Sequence, residues 1–158
     1  VAKTDRVALE SLIAADVRAM TAESDQIGRH FAGRHDVGAN DFRALLYVMV
    51  AETSGTPLTA GELRSRMGMS GAAITYLVER MIASGHFRRE SDPSDRRKVI
   101  LRVADDGRAV ARSFFTPLAE HNRRAMAGLP AGDLAAAHRT FTAIIDAMRA
   151  FRSELDEP

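Results

Sequence analysis

Arg96, Arg97 and Lys98 stand in succession directly after Ser91-Asp92-Pro93-Ser94-Asp95, a run of turn-forming residues. At the far end of a hairpin three adjacent cations contribute nothing to a core, and their chemistry is the binding of anions. An arginine at such a tip fits the narrow minor groove of duplex DNA, where the negative potential is strongest. Asp95, two residues before Arg97, is placed to hold that guanidinium by a charge-assisted hydrogen bond. A solvated turn of mixed charge would carry the same residues, so the tip gains meaning only from the elements before it.

A second constellation precedes it. Ser70, Gly71, Ala72 and Ala73 open a helix in which Ile74, Leu77, Val78, Met81 and Ile82 form one apolar face. The other face carries Ala72, Thr75, Tyr76, Glu79 and, at its edge, Arg80. Small side chains let backbone N–H groups approach a phosphate, and an alanine or threonine methyl packs on a thymine methyl. The Thr75 and Tyr76 hydroxyls can meet base edges or phosphates. An ordinary amphipathic helix with a small-residue start is the competing reading of this segment taken alone.

Other chemistries lack their residues. With no cysteine, disulfides, thiolate metal sites and thiol-based redox sensing are excluded. His30 and His35 are five apart and His121 and His138 seventeen apart, so neither pair has the i, i+4 spacing that puts two imidazoles on one helical face. No Gly-rich phosphate loop, G-x-S-x-G or paired-histidine motif occurs, and we expect no catalysis, metal or cofactor.

The elements that must position the two constellations are legible from periodicity and caps. A first helix is expected from about Asp5 to Arg34, with Leu9, Leu12, Ile13, Val17, Met20, Ile27 and Phe31 near one stripe. Asn40 is the expected cap of a second, whose apolar face is Phe42, Leu45, Leu46, Met49 and Val50. Thr59 and Glu62 form a T-x-x-E capping box for the third helix, flanked by Leu58 and Leu63 at the positions of a hydrophobic staple. Gly68 suits a left-handed stop and Ser70 caps the fourth helix, giving the tight turn of a helix-turn-helix. Gly85 closes that helix. Strands follow at His86–Glu90 and Lys98–Val103, the latter with Val99, Leu101 and Val103 on one side. Asp105 and Asp106 open a fifth helix that Pro117 should kink or break, and Pro130 opens a sixth.

A chain of 158 residues with 46% hydrophobic and 27% charged residues can bury a core as one domain. Its net charge of +1 is unevenly spread: the segment 62–102 carries +4 and the remainder −3, which favours a local polyanion-binding face. The longest apolar run, Ala44–Ala51, is far short of the roughly 20 residues of a membrane helix. The stretch VAKTDRVALE has no apolar signal core, so no membrane association and a cytoplasmic address are expected. The long first and last helices carry apolar stripes that pairing with a second copy would bury best.

The stretch D-P-S-D-R-R-K-V-I-L-R-V-A-D-D-G (Asp92–Gly107) resembles the wing signature of MarR-type winged helix-turn-helix regulators: D-P-x-D-R-R, alternating apolar residues, then L-T-x-x-G. L-T-x-x-E-L from Leu58 and S-x-x-x-I-T-x-L-V-x-R-M from Ser70 are similar to that family's helix-turn-helix. The resemblance covers nearly the whole chain. It implies a mainly α fold of six helices with a two-stranded β-wing. It also implies a DNA-binding lobe at 36–103 and dimerisation helices at 1–35 and 104–158. The implied partners are a second copy of the chain and a pseudo-palindromic double-stranded DNA operator, bound as a repressor. Ser70, Gly71, Ala72, Thr75, Tyr76 and Arg80 would face the DNA with Asp95, Arg96, Arg97 and Lys98 of the wing. A small anionic or phenolic effector would bind among His30, Phe31, Tyr47, Phe114 and Phe115, residues that core and interface packing would use equally well. Two departures stand out. Tyr76 occupies a position where the family commonly has arginine, and Ala104 one where it often has a threonine cap, a task Asp105 is placed to take over. A winged helix used for protein–protein contact is the alternative, and it has no need of three cations at the wing tip.

Overall fold

The computed structural model describes residues 3–34 and 37–156. Among them are six helices and one two-stranded sheet: α1 (Lys3–Arg34), α2 (Ala39–Thr53), α3 (Ala60–Met67), α4 (Gly71–Ala83), β1 (Phe87–Ser91), β2 (Val99–Val103), α5 (Asp105–Met126) and α6 (Ala131–Asp156). The chain divides into two compact units, Val1–Phe114 and Phe115–Pro158.

In the first unit α2 packs against α1, α3 and β2, and α3 against α4. The core gathers Ala44, Leu45, Val48 and Ala51 of α2 with Leu63 of α3, Leu77, Val78 and Met81 of α4, Phe87 of β1, and Leu101 and Val103 of β2. The face of α2 is therefore rotated from the expected one. Val50 is exposed, while Ala44 and Ala51, too small to mark a stripe by hydrophobicity, are buried where neighbouring elements come close. Asn40 does not cap α2. Gly38 is the N-cap, with no side-chain cap bond, and its carbonyl accepts from Phe42 N at 2.9 Å.

β1 and β2 are antiparallel, with Phe87 opposite Val103 and Ser91 opposite Val99. Leu101 N donates to Leu58 O at 2.7 Å and Ile100 bridges to Thr59, so the segment before α3 extends the sheet. The expected alternation holds for Leu101 and Val103 but fails at Val99, which is exposed beside the turn, and Ile100 on the opposite side is buried.

β2 passes into α5 through Ala104, whose N donates to His86 O at 2.8 Å and whose carbonyl accepts from Arg108 N at 2.9 Å. Asp105 is the first helical residue and does not take over the cap; with Asp106 it puts negative charge in the first turn, where the helix dipole favours it. Gly107 lies against this junction. A Cβ there would stand 2.4 Å from His86 O, 3.0 Å from Val103 Cγ1 and 3.1 Å from Leu45 Cδ1. Glu52 of α2 ties the same region together: Oε2 accepts from Val103 N and Oε1 from Arg108 Nη2, each at 3.1 Å.

α5 runs unbroken past Pro117. A proline in a helix interior removes one backbone hydrogen bond and costs about 3 kcal/mol, which a helix of this length can carry. In the second unit the end of α5 turns into α6 through 127–130, and the Pro130 carbonyl accepts from Asp133 N and Leu134 N. Phe141, Ile145, Met148, Phe151 and Leu155 of α6 are exposed. In the first unit Val7, Leu9, Leu12 and Met20 of α1 are exposed as well. No described helix is long and apolar enough to cross a membrane.

Candidate nucleic-acid interface

α3 and α4 are set by their caps. Thr59 Oγ1 accepts from Glu62 N at 3.2 Å, and Glu62 Oε2 accepts from Thr59 N at 2.7 Å, closing the reciprocal box. Gly68 takes φ +63° and ψ 33°, the left-handed stop, with Met69 N reaching back to Arg64 O at 3.3 Å. After this one residue Ser70 caps α4, its hydroxyl accepting from Ala73 N at 3.3 Å. Leu77, Val78 and Met81 anchor the inner face, which leaves Gly71, Ala72, Thr75, Tyr76, Glu79 and Arg80 exposed on the outer one. Nothing lies within 4 Å of where a Gly71 Cβ would be, so the first turn is open to a large anion. Thr75 donates its hydroxyl hydrogen to Gly71 O at 2.9 Å, which leaves oxygen lone pairs and a methyl group available outward.

The wing turn is held by two aspartates. Asp92 Oδ1 accepts from Ser94 N at 2.7 Å and from Ser94 Oγ at 2.6 Å. Asp95 Oδ1 accepts from Arg97 N and Arg97 Nε, both at 3.1 Å, and Oδ2 from Arg97 Nη2 at 3.4 Å. Asp95 thus holds Arg97 at its backbone amide and along one edge of its guanidinium, while the side chain remains 91% exposed. Arg96 and Lys98 are exposed beside it. The Ser94 hydroxyl and amide hold Asp92 below the usual carboxylate range, and the Arg97 guanidinium and amide do the same for Asp95.

Two contacts of this surface were not legible in the sequence. Arg89 of β1 pairs with Glu79 of α4 at 2.5 Å, lowers the Glu79 pKa through that hydrogen bond, and offsets the one acid on the outer face. Arg80 pairs with Asp41 of α2, and its guanidinium carbon lies 5.1 Å from the centroid of the Tyr76 ring. The only sequence signal for either pair was opposite charge, at separations of 10 and 39 residues.

The residues proposed for an effector are only partly gathered. Phe31 and Phe114 meet Phe42, a residue outside the expected set, in a triangle with every pair of ring centroids 5.0 Å apart. Tyr47 is half-buried with Arg43 over its ring, His30 is exposed on α1, and Phe115 belongs to the second unit. A groove of about 240 Å³ between α1 and α2 is lined by other residues, among them Gly28, Arg29, Asn40, Phe42 and Arg43. His35 lies outside the described residues, and among those described no three His, Asp or Glu side chains gather as a metal site.

Fold and surface together define a winged helix-turn-helix protein. Residues 35–98 match the family model described as MarR family. The chain is 39% identical over 64 residues to the uncharacterised HTH-type transcriptional regulator YcgE of Bacillus subtilis, covering 40% of this chain and 42% of that one. It superposes on a MarR family protein from Bacillus stearothermophilus with a TM-score of 0.64 at 20% identity, over 94% of this chain and 99% of the other. It also matches a Staphylococcus aureus MepR variant bound to an oligodeoxyribonucleotide, with a TM-score of 0.52 at 15% identity over 86% and 97% of the two chains. The match to the MarR family model is confined to residues 35–98, the helix-turn-helix and wing, while the superposed structures show the shared fold. It spans about half the length of the curated relatives it matches.

Proposed function

We propose that this chain is a sequence-specific DNA-binding transcriptional regulator without catalytic activity, acting in the cytoplasm as a homodimeric repressor on a pseudo-palindromic operator. The observation that carries the reading is the capped α3–α4 turn, which presents the open start of α4 together with a wing whose Arg97 is oriented by Asp95 and remains exposed. In this reading Ser70 and Gly71 offer backbone N–H groups to a phosphate, and Ala72, Thr75 and Tyr76 meet base edges. Arg97 enters the minor groove, flanked by Arg96 and Lys98. The lobe 36–103 binds DNA, and 1–35 with 104–158 pair with a second copy. The exposed apolar residues of α1 and α6 support that pairing, which sets two α4 helices roughly 34 Å apart on successive major grooves. The three cations at the wing tip weigh against a purely protein-binding winged helix. The relation to the family supports a small anionic or phenolic effector that favours one spacing of the two lobes.

A binding selection of the purified chain against fragments of its own genome, at two salt concentrations, tests the reading. Recovery of a short inverted repeat bound as a dimer is expected. Salt-sensitive binding with no preferred sequence, or no binding at all, would overturn it.

A further inference from the structure

Among the described residues Asp41 is the one buried charged side chain. It sits in the first turn of α2 beneath Gly38, where a Cβ would stand only 3.1 Å from Oδ2, so glycine at that position leaves the carboxylate room to turn inward. Oδ1 accepts from Nη2 of Arg80, on the last turn of α4 and 39 residues away in sequence. Arg80 in turn lies over Tyr76, one helical turn earlier on the outer face of α4, and that ring is 68% exposed. A line of contacts thus runs from the interior of α2 to the surface that meets DNA. A guanidinium held by a largely buried carboxylate, as Arg80 is by Asp41 with 13% side-chain exposure, is less available to a phosphate than one that stays 91% exposed beside its carboxylate, as Arg97 does. A planar guanidinium against one face of a ring also restricts where its hydroxyl points.

We propose that Asp41 is a positioning residue for the operator-reading face. It holds Arg80 off the phosphates and, through Arg80, fixes the Tyr76 ring, so that Asp41 contributes to sequence discrimination without touching DNA. The inference rests on the DNA-binding reading above, and it gives Arg80 the role of a strut in place of a phosphate contact.

The chain has no tryptophan and two tyrosines, so Tyr47→Phe leaves Tyr76 as the only tyrosine, and its fluorescence and near-ultraviolet circular dichroism report on the clamp. On that background Asp41→Asn and Arg80→Gln are compared without DNA, then titrated with operator and with random duplex over a range of salt. Both variants are expected to change the Tyr76 signal and to lower the ratio of operator to random affinity by about tenfold. Asp41→Asn, which frees Arg80, should also steepen the salt slope of log K by up to ~0.9, whereas Arg80→Gln should leave the slope unchanged. An unaltered Tyr76 signal in both variants overturns the proposal. So does an Arg80→Gln slope shallower by ~0.9, because Arg80 would then be neutralising a phosphate itself. If Asp41→Asn does not fold, the Tyr76 signal and slope of Arg80→Gln decide the matter. A wild-type chain with no preferred duplex overturns the parent reading, on which the Tyr76 signal measured without DNA does not depend.

Discussion

Gly107→Ala should be among the most destabilising single-methyl changes available to this protein. The added Cβ would stand 2.4 Å from the carbonyl oxygen of His86, well inside contact distance, and 3.0 and 3.1 Å from Val103 Cγ1 and Leu45 Cδ1. The two side-chain neighbours can give a few tenths of an ångström. The carbonyl cannot move so easily, because it accepts the 2.8 Å bond from Ala104 N that joins the root of β1 to the start of α5. Overpacking of this kind costs about 1–3 kcal/mol, and weakening the backbone bond adds about 0.5–1.5 kcal/mol. The better helix propensity of alanine returns about 1 kcal/mol. The net expectation is a loss of about 0.5–3.5 kcal/mol, or a fall in Tm of roughly 1–14 °C for a chain of this size. Urea unfolding followed by circular dichroism, at one fixed protein concentration so that self-association does not shift the midpoint, measures it. Gly28→Ala is the control of opposite sign: it lies inside α1, its Cβ would meet Phe42 at an ordinary 3.5 Å, and it should stabilise by about 0.5–1 kcal/mol. A Gly107→Ala variant as stable as wild type would refute the argument that glycine is there for close approach.

Arg97→Ala should weaken operator binding and reduce the salt slope of log K by ~0.9; wild-type affinity and slope in that variant would remove the wing from the interface. Ser70→Ala, which strips the cap of α4 and its bond to Ala73 N, should cost about 0.5–2 kcal/mol by urea unfolding, and an unchanged midpoint would show the cap to be idle. Thr75→Val should alter base preference in a binding selection more than it alters total affinity, so identical selected sequences would count against that face. Asp92 and Asp95 have lowered pKa values in the folded wing, so the support they give is complete above the ordinary carboxylate range and is lost as pH falls below it. The amide resonances of Ser94 and Arg97 should accordingly hold steady on acidification to about pH 4 and shift only below it; movement between pH 5 and 6 would contradict the assignment.

What the sequence disclosed was local. The Thr59–Glu62 box, the Gly68 stop, the Ser70 cap and the two aspartates of the wing turn all act within a few residues of themselves, so their chemistry is written in consecutive positions. The six helices and the wing followed from the same signals. Long-range pairings were not legible: Asp41 and Arg80 meet only after α2 and α4 have packed, and the Phe31–Phe42–Phe114 triangle draws on three separate helices. Composition misled at α2, where two alanines line the core in place of Val50 and glycine rather than Asn40 takes the cap. Of the two outcomes expected at Pro117, a break does not occur, because a long helix carries the loss of one backbone bond.

Glu52 gives the wing a lever arm. One carboxylate grips both Val103 N, at the root of β2, and Arg108, in the opening turns of α5, and beside the bond from Ala104 N to His86 O it ties the ribbon to the helix. From Leu101, which Leu58 O still holds, the ribbon reaches at most roughly 13 Å to Arg97 at strand spacing. Rotating that arm by about 10° would sweep the tip through roughly 2.3 Å, over a third of the width of a minor groove about 6 Å across. If the wing meets DNA as proposed, a change at α5 too small to disturb the core would be enough to take Arg97 out of register with the minor groove.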